Sequence, residues 1–235
     1  MDTKYIVSRL APFFKENGYK KKSSLFYKIQ NNIAYCIGFE RPGDLRAVFH
    51  ILPLYTPLEF KELTYGSHLE YFPKCKVPSI SPLENIEDFK RKYPNSLNLN
   101  NIDDCEIWID KIVQCCEQHI FPFYDRIGTL NGLMDFLNMG HYHVYQYWNH
   151  CGLAQYYEIR AYTNFVLSQY KAMEKDIKKA KEAIDDMRIF PHLKDESKNN
   201  LDAFSKMSKA TDEEKQRFID ATVASSLAAC FGKHH

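Results

Sequence analysis

The sequence predicts an α+β protein: an N-terminal helix, an antiparallel β-meander covered by helices, and then an α-helical C-terminal hairpin or bundle. Two local patterns support this. A two-residue Asn31-Asn32 link joins strand-like runs, and an apolar period of 3.5 residues is sustained from Tyr156 to Met187. Composition adds a third observation: 235 residues, 45% of them hydrophobic, with only 9 Gly and 10 Pro, suit a packed core and exclude collagen-like or low-complexity architecture. Residues 1–139 are expected to form the α+β domain and residues 140–235 the helical tail.

Residues 3–17 place Ile6, Leu10, Phe13 and Phe14 at helical spacing, and Gly18 stands where a C-terminal cap is expected. Strand-like runs follow at Leu25–Gln30, Ile33–Glu40 and Arg46–Tyr55. Asn31-Asn32 suits a hairpin because Asn tolerates positive φ, and Arg41-Pro42-Gly43-Asp44 reads as the next turn. In the second strand Ile33, Tyr35, Ile37 and Phe39 alternate with Ala34, Cys36 and Gly38, so both sheet faces should be covered.

Five prolines interrupt the stretch from Thr56 to Asn101, which reads as irregular apart from a short helix at Leu83–Tyr93. Asp103 and Glu106 have the spacing of a capping box that opens a helix to about Phe121, with Ile109, Ile112, Val113, Cys116, Ile120 and Phe123 on its core stripe and Trp108 beside them. In the tail, Tyr156, Ile159, Thr163, Val166, Tyr170 and Met173, then Ile177, Ala180, Ile184 and Met187, alternate steps of three and four. This predicts one helix over about 153–188, roughly 50 Å long. It should end near Phe190-Pro191, and Thr211 with Glu214 caps a returning helix over about 211–230. The seam is expected to close within the chain; pairing between two copies, a homodimer, is the alternative.

Charge excludes some function classes. There are 31 basic and 30 acidic residues, a net +1, without the basic excess of a dedicated nucleic-acid binder. Locally the balance is +5 over residues 1–92, −5 over 93–150 and +1 over 151–235, so the first two segments are expected to attract one another. The first fifteen residues carry charges and no apolar run of signal-peptide type, and no stretch is long and apolar enough to span a bilayer. Seven irregularly spaced cysteines suit free thiols, and a cytoplasmic location is expected. His234 and His235, either native or a tag remnant, carry no functional expectation.

Three constellations contain groups capable of chemistry or recognition. His141, His143, His150 and Cys151 are zinc-type ligands, but neither a helix nor a strand presents all four on one face. Cys115 and His119 stand four apart, the helical spacing of a thiol-imidazole pair. Lys20-Lys21-Lys22 beside Tyr19 and Tyr27 combines cations with rings, as single-stranded nucleic-acid sites do, although a solvated strand start explains it as well. No catalytic, cofactor-binding or metal residue is assigned and no cofactor is expected; P-loop, Rossmann, nucleophile-elbow and H-E-x-x-H patterns are absent.

The segment Leu10-Ala-Pro-Phe-Phe-Lys-Glu-Asn-Gly-Tyr-Lys-Lys-Lys22, followed by Leu25-Phe-Tyr-Lys-Ile-Gln30, resembles a bacterial family, domain of unknown function 4304 (DUF4304). Tyr65-Gly-Ser-His-Leu69 and His119-Ile-Phe-Pro-Phe-Tyr124 with 130–137 extend the resemblance over roughly 4–137. It implies a bacterial cytoplasmic α+β domain, sometimes found near toxin and immunity genes, and transfers no catalytic residue. The expected function is therefore a non-enzymatic binding or interaction protein with a protein partner, of immunity type in its most concrete form. The alternatives are a metal-dependent or cysteine-based enzyme using 141–151 or 115–119, and a single-stranded nucleic-acid module. Of the 34 aromatic rings, Tyr142, Tyr145, Tyr147, Trp148, Tyr156, Tyr157 and Tyr162 cluster where the domain meets its tail, and they are expected to join the two halves.

Overall fold

A computed structural model describes residues 3–40, 45–57, 69–71, 96–97, 102–140, 152–187 and 189–232. The protein is α+β. Its described residues fall into two compact units, one formed within 1–52 and 69–129, the other within 53–57, 130–140 and 152–232. The second unit thus takes in more than the predicted tail.

In the first unit, helix α1 (Thr3–Glu16) buries Ile6, Val7, Leu10 and Phe14. It ends as Gly18 predicts: Gly18 adopts φ 81°, its N–H donates to Lys15 O at 3.0 Å, and the Tyr19 N–H donates to Phe14 O at 2.9 Å. These two bonds satisfy carbonyls that the helix end leaves open. Strands β1 (Lys20–Lys22), β2 (Leu25–Gln30), β3 (Ile33–Glu40), β4 (Leu45–Pro53) and β5 (Leu69–Tyr71) follow in that spatial order, with β6 (Ser96–Leu97) also paired to β4. Asn31 and Asn32 turn the β2–β3 hairpin at φ 52° and 58°, which sets Gln30 opposite Ile33 and Lys28 opposite Tyr35. Both faces of β3 are covered: Ile33, Tyr35, Ile37 and Phe39 are buried, and so are Ala34 and Cys36. The Arg41–Asp44 turn and the Leu83–Tyr93 helix lie outside the described residues.

Helix α2 (Ile102–Cys115) runs through a π-helical turn (Cys116–Ile120) into α3 (Phe121–Arg126). It starts at Ile102, one residue before the predicted cap Asp103. Glu106 accepts hydrogen bonds from Arg9 Nε at 3.2 Å, Arg9 Nη2 at 3.0 Å and the Tyr5 hydroxyl. This pair joins the basic and acidic segments, as the local charge balance led us to expect. The core between them is aromatic: Phe14 lies 4.5 Å from Phe26, and Phe39 meets Trp108 edge-on at 6.1 Å.

The second unit contains α4 (Leu130–Asn138), α5 (Leu153–Val166), α6 (Tyr170–Asp186), α7 (Pro191–Lys206) and α8 (Asp212–Phe231). The single helix expected over 153–188 is two helices. Ser168 enters the left-handed region at φ 57°, with Ser168 N–H bonded to Phe165 O at 2.9 Å and Gln169 N–H to Asn164 O at 2.8 Å. That arrangement closes a helix. Helices α5 and α6 then run antiparallel, because Tyr157 meets Lys179, Arg160 meets Asp176 and Phe165 meets Tyr170. The apolar period is retained on each half, with Tyr156, Ile159, Thr163, Met173, Ile177 and Ile184 all buried, so the seam closes within the chain.

Pro191, expected only to stop a helix, also starts α7 at a position where the missing N–H costs nothing. The Thr211–Glu214 capping box forms as predicted, Thr211 N–H donating to Glu214 Oε2 at 2.8 Å and Glu214 N–H to Thr211 Oγ1 at 3.3 Å. Helix α8 then sets Phe218 against a ring cluster in which Tyr162 and Phe204 stack at 3.8 Å.

Candidate functional site

The Cys115–His119 pair lies in the core of the α+β unit. Both residues are buried, Cys115 fully and His119 to 5% exposure, and the π turn begins directly after Cys115. The Phe121 N–H bonds to Cys116 O, five residues back, so the i,i+4 register expected of an α-helix is not kept here. Burial pushes the Cys115 thiol well above its ordinary range, and Cys116 likewise. A thiol held protonated is a packing group, since the thiolate is the nucleophile.

Lys20, Lys21 and Lys22 are all exposed, and they form strand β1 itself, the edge of the sheet. Their flanking rings are not available for stacking: Tyr19 and Tyr27 are 7% and 6% exposed. Charged lysines on an edge strand discourage another strand from pairing there, which is sufficient reason for the run. His141, His143, His150 and Cys151 lie outside the described residues, as do Tyr142, Tyr145, Tyr147 and Trp148. Among the described residues no group of three or more metal-ligating side chains occurs. Tyr156 and Tyr162 act inside the helical unit, the Tyr156 hydroxyl donating to Leu137 O at 2.6 Å.

The α+β unit contains a feature that the sequence did not single out. Between the β2–β3 hairpin, the end of α1 and α3 lies a cavity of about 90 Å³. Lys28 and Gln30 on β2 and Tyr35 on β3 form its floor; the register puts Lys28 directly opposite Tyr35, and hence on the same face. Asn17 and Tyr19, at the closed end of α1, form one wall. Phe121, Tyr124 and Asp125 on α3 form the other, with Phe121 stacked on Tyr19 at 5.5 Å.

The polar groups here are unequally satisfied. The Tyr124 hydroxyl donates to Cys36 O at 3.2 Å. Tyr35, 2% exposed, has a hydroxyl with no hydrogen-bond partner among the described residues. Its ionisation is shifted upward, by burial first and then by the Asp125 carboxylate, so it stays a proton donor. Burial shifts Tyr19 upward too. Gly128 lies close behind Tyr35: a Cβ there would approach the hydroxyl to 3.5 Å and Tyr124 O to 3.1 Å. Lys28 and Asp125 line the same space, and neither forms an ion pair with a described residue.

No protein-family model matches the chain, and no curated protein or solved structure shows significant similarity to it. Function therefore rests on the residues themselves. No described helix is long and apolar enough to cross a membrane.

Half of this cavity was legible in the sequence. A two-residue loop at Asn31-Asn32 already pairs Lys28 with Tyr35, so a cation and a phenol on one face could have been read from the hairpin. The contribution of Asp125 could not, because it depends on how α3 packs against the sheet.

Proposed function

We propose that this is a non-enzymatic binding protein, with a recognition cavity in its α+β unit and an exposed aromatic anchor in its helical unit. The observation that carries this reading is the content of the cavity: a cation, a carboxylate, amides and protonated phenols, which are recognition groups, with no thiol or imidazole among them. The burial of Cys115 and Cys116 supports it, since the only thiol-imidazole spacing among the described residues is sealed into the core. A protein partner is the expected occupant of the outer surface. Phe190, 69% exposed and stacked on His192 at 5.8 Å, has the rigid aromatic character of an interface anchor. The most concrete form of the reading is an immunity-type protein that binds and blocks a toxin, consistent with the resemblance to the DUF4304 family.

The test is capture from an extract of the native cell by the purified full-length chain, alongside Phe190→Ala. A partner retained by wild type and held at least tenfold less by the variant is the expected result. A monomer that captures nothing, or steady turnover of any substrate abolished by Cys115→Ala, would overturn the reading.

A further inference from the structure

We propose that the cavity between the β2–β3 hairpin and α3 binds a small free α-amino acid as its zwitterion, with the carboxylate towards Lys28 and Tyr35 and the ammonium towards Asp125. The proposal rests on the binding reading above and adds the ligand to it.

Charge selects the class. A lone anion would be drawn to Lys28 but repelled by Asp125, and a lone cation would meet the opposite problem. An apolar ligand would leave the buried Tyr35 hydroxyl unpaired, which is costly in a dry site. A ligand carrying both charges, with an acceptor oxygen close to the cation, answers all three groups at once. Tyr35 is well placed for that oxygen: it is the cross-strand partner of Lys28 and retains its proton. Asn17 and Gln30, exposed at the rim, offer further amide donors and acceptors.

Size then narrows the class. One water needs about 10–15 Å³ of such space, so the cavity accommodates about six to nine non-hydrogen atoms. That admits amino acids up to the size of aspartate and excludes aromatic ones. The walls set the same limit, because Phe121 is locked against Tyr19 at 5.5 Å and Phe13 at 5.7 Å.

Isothermal titration of the full-length protein with glycine, serine, threonine and aspartate tests this, with ethanolamine and glycolate as probes that carry only one of the two charges. At least one amino acid is expected to bind saturably, and each single-charge probe at least tenfold more weakly. Lys28→Met and Asp125→Asn, both outside the core, should each weaken binding by about tenfold or more, and Tyr35→Phe by about fivefold, with unchanged circular dichroism. No saturable heat from any of the four amino acids, equal binding of the single-charge probes, or binding indifferent to Lys28→Met would overturn the proposal. If the amino acids fail while the protein partner is still captured, only the ligand assignment falls. If neither binds, the binding reading falls with it.

Discussion

In the helical unit the buried Asp176 receives Arg160 Nε at 3.2 Å and Asn164 Nδ2 at 2.9 Å, whereas in the α+β unit the equally buried Tyr35 hydroxyl receives no described partner. Arg160 also reaches Leu137 O at 3.2 Å and Asn138 Oδ1 at 2.8 Å, so the network around Asp176 extends to the end of α4. Each arrangement has an energetic consequence. A satisfied buried network fixes one packing of its helices, while an unpaired buried hydroxyl costs about 1–3 kcal/mol and is tolerated where something else supplies the missing bond. The network around Asp176 serves architecture. Thr56 Oγ1 in the same unit is also buried without a described partner, and what distinguishes the Tyr35 hydroxyl is its place at a cavity.

The largest effect should come from the ring cluster of the helical unit. Phe204 is 3% exposed and stacks on Tyr162, so Phe204→Ala should cost about 3–5 kcal/mol in urea denaturation. Loss of less than about 1 kcal/mol would show that the cluster does not hold α7 and α8. Asp176→Ala should cost about 3 kcal/mol, because it strands Arg160 and Asn164; the 18% exposure of the Arg160 side chain keeps this at the lower end for a buried pair. A neutral effect would mean that the network is dispensable.

Smaller, but opposite in sign between the units, is the response to pH. Burial raises Asp176 above its ordinary value despite Arg160, so its folded form holds a proton more tightly than the unfolded chain does. Its stabilising contribution is full below the unfolded value of about 3.9 and is lost as pH rises through the folded value. Glu106 is lowered, by the Arg9 hydrogen bond first and then by Tyr5. Its contribution is present above about 4.3 and is lost as pH falls through the folded value. Urea midpoints between about pH 3 and 7 should therefore rise less steeply with pH in Glu106→Gln than in wild type, and more steeply in Asp176→Asn. Shifts of the same sign in both variants would contradict this contrast.

Local chemistry was legible in the sequence wherever a residue type dictates the backbone. Gly18, Asn31-Asn32 and Thr211–Glu214 each did what their side chains require, and the 3.5-residue period correctly picked the buried faces of α5 and α6. The break between those helices was hidden because Leu167-Ser168-Gln169 contains neither Gly nor Pro, and a serine in the left-handed region leaves little trace in sequence. Helix α7 was missed for a related reason: Asn199-Asn200 and six charges mask a stripe that consists only of Ser197, Leu201 and Phe204. Glu106 has the spacing of a capping residue, which is local information, whereas its partners Tyr5 and Arg9 stand about a hundred residues away. The other half of the cavity was out of reach for the same reason, as its second charge, Asp125, comes from a helix far along the chain.

The central claim is that Tyr35 is buried without a partner of its own, and the stability of Tyr35→Phe beside Tyr124→Phe in ligand-free protein measures it directly. The two phenols lie 4.9 Å apart, ring to ring, and differ in that Tyr124 donates to Cys36 O. Tyr124→Phe should lose about 1 kcal/mol, whereas Tyr35→Phe should be neutral or gain up to about 1 kcal/mol. An equal loss in both variants would show that the Tyr35 hydroxyl is already satisfied, and the account of the cavity would fail.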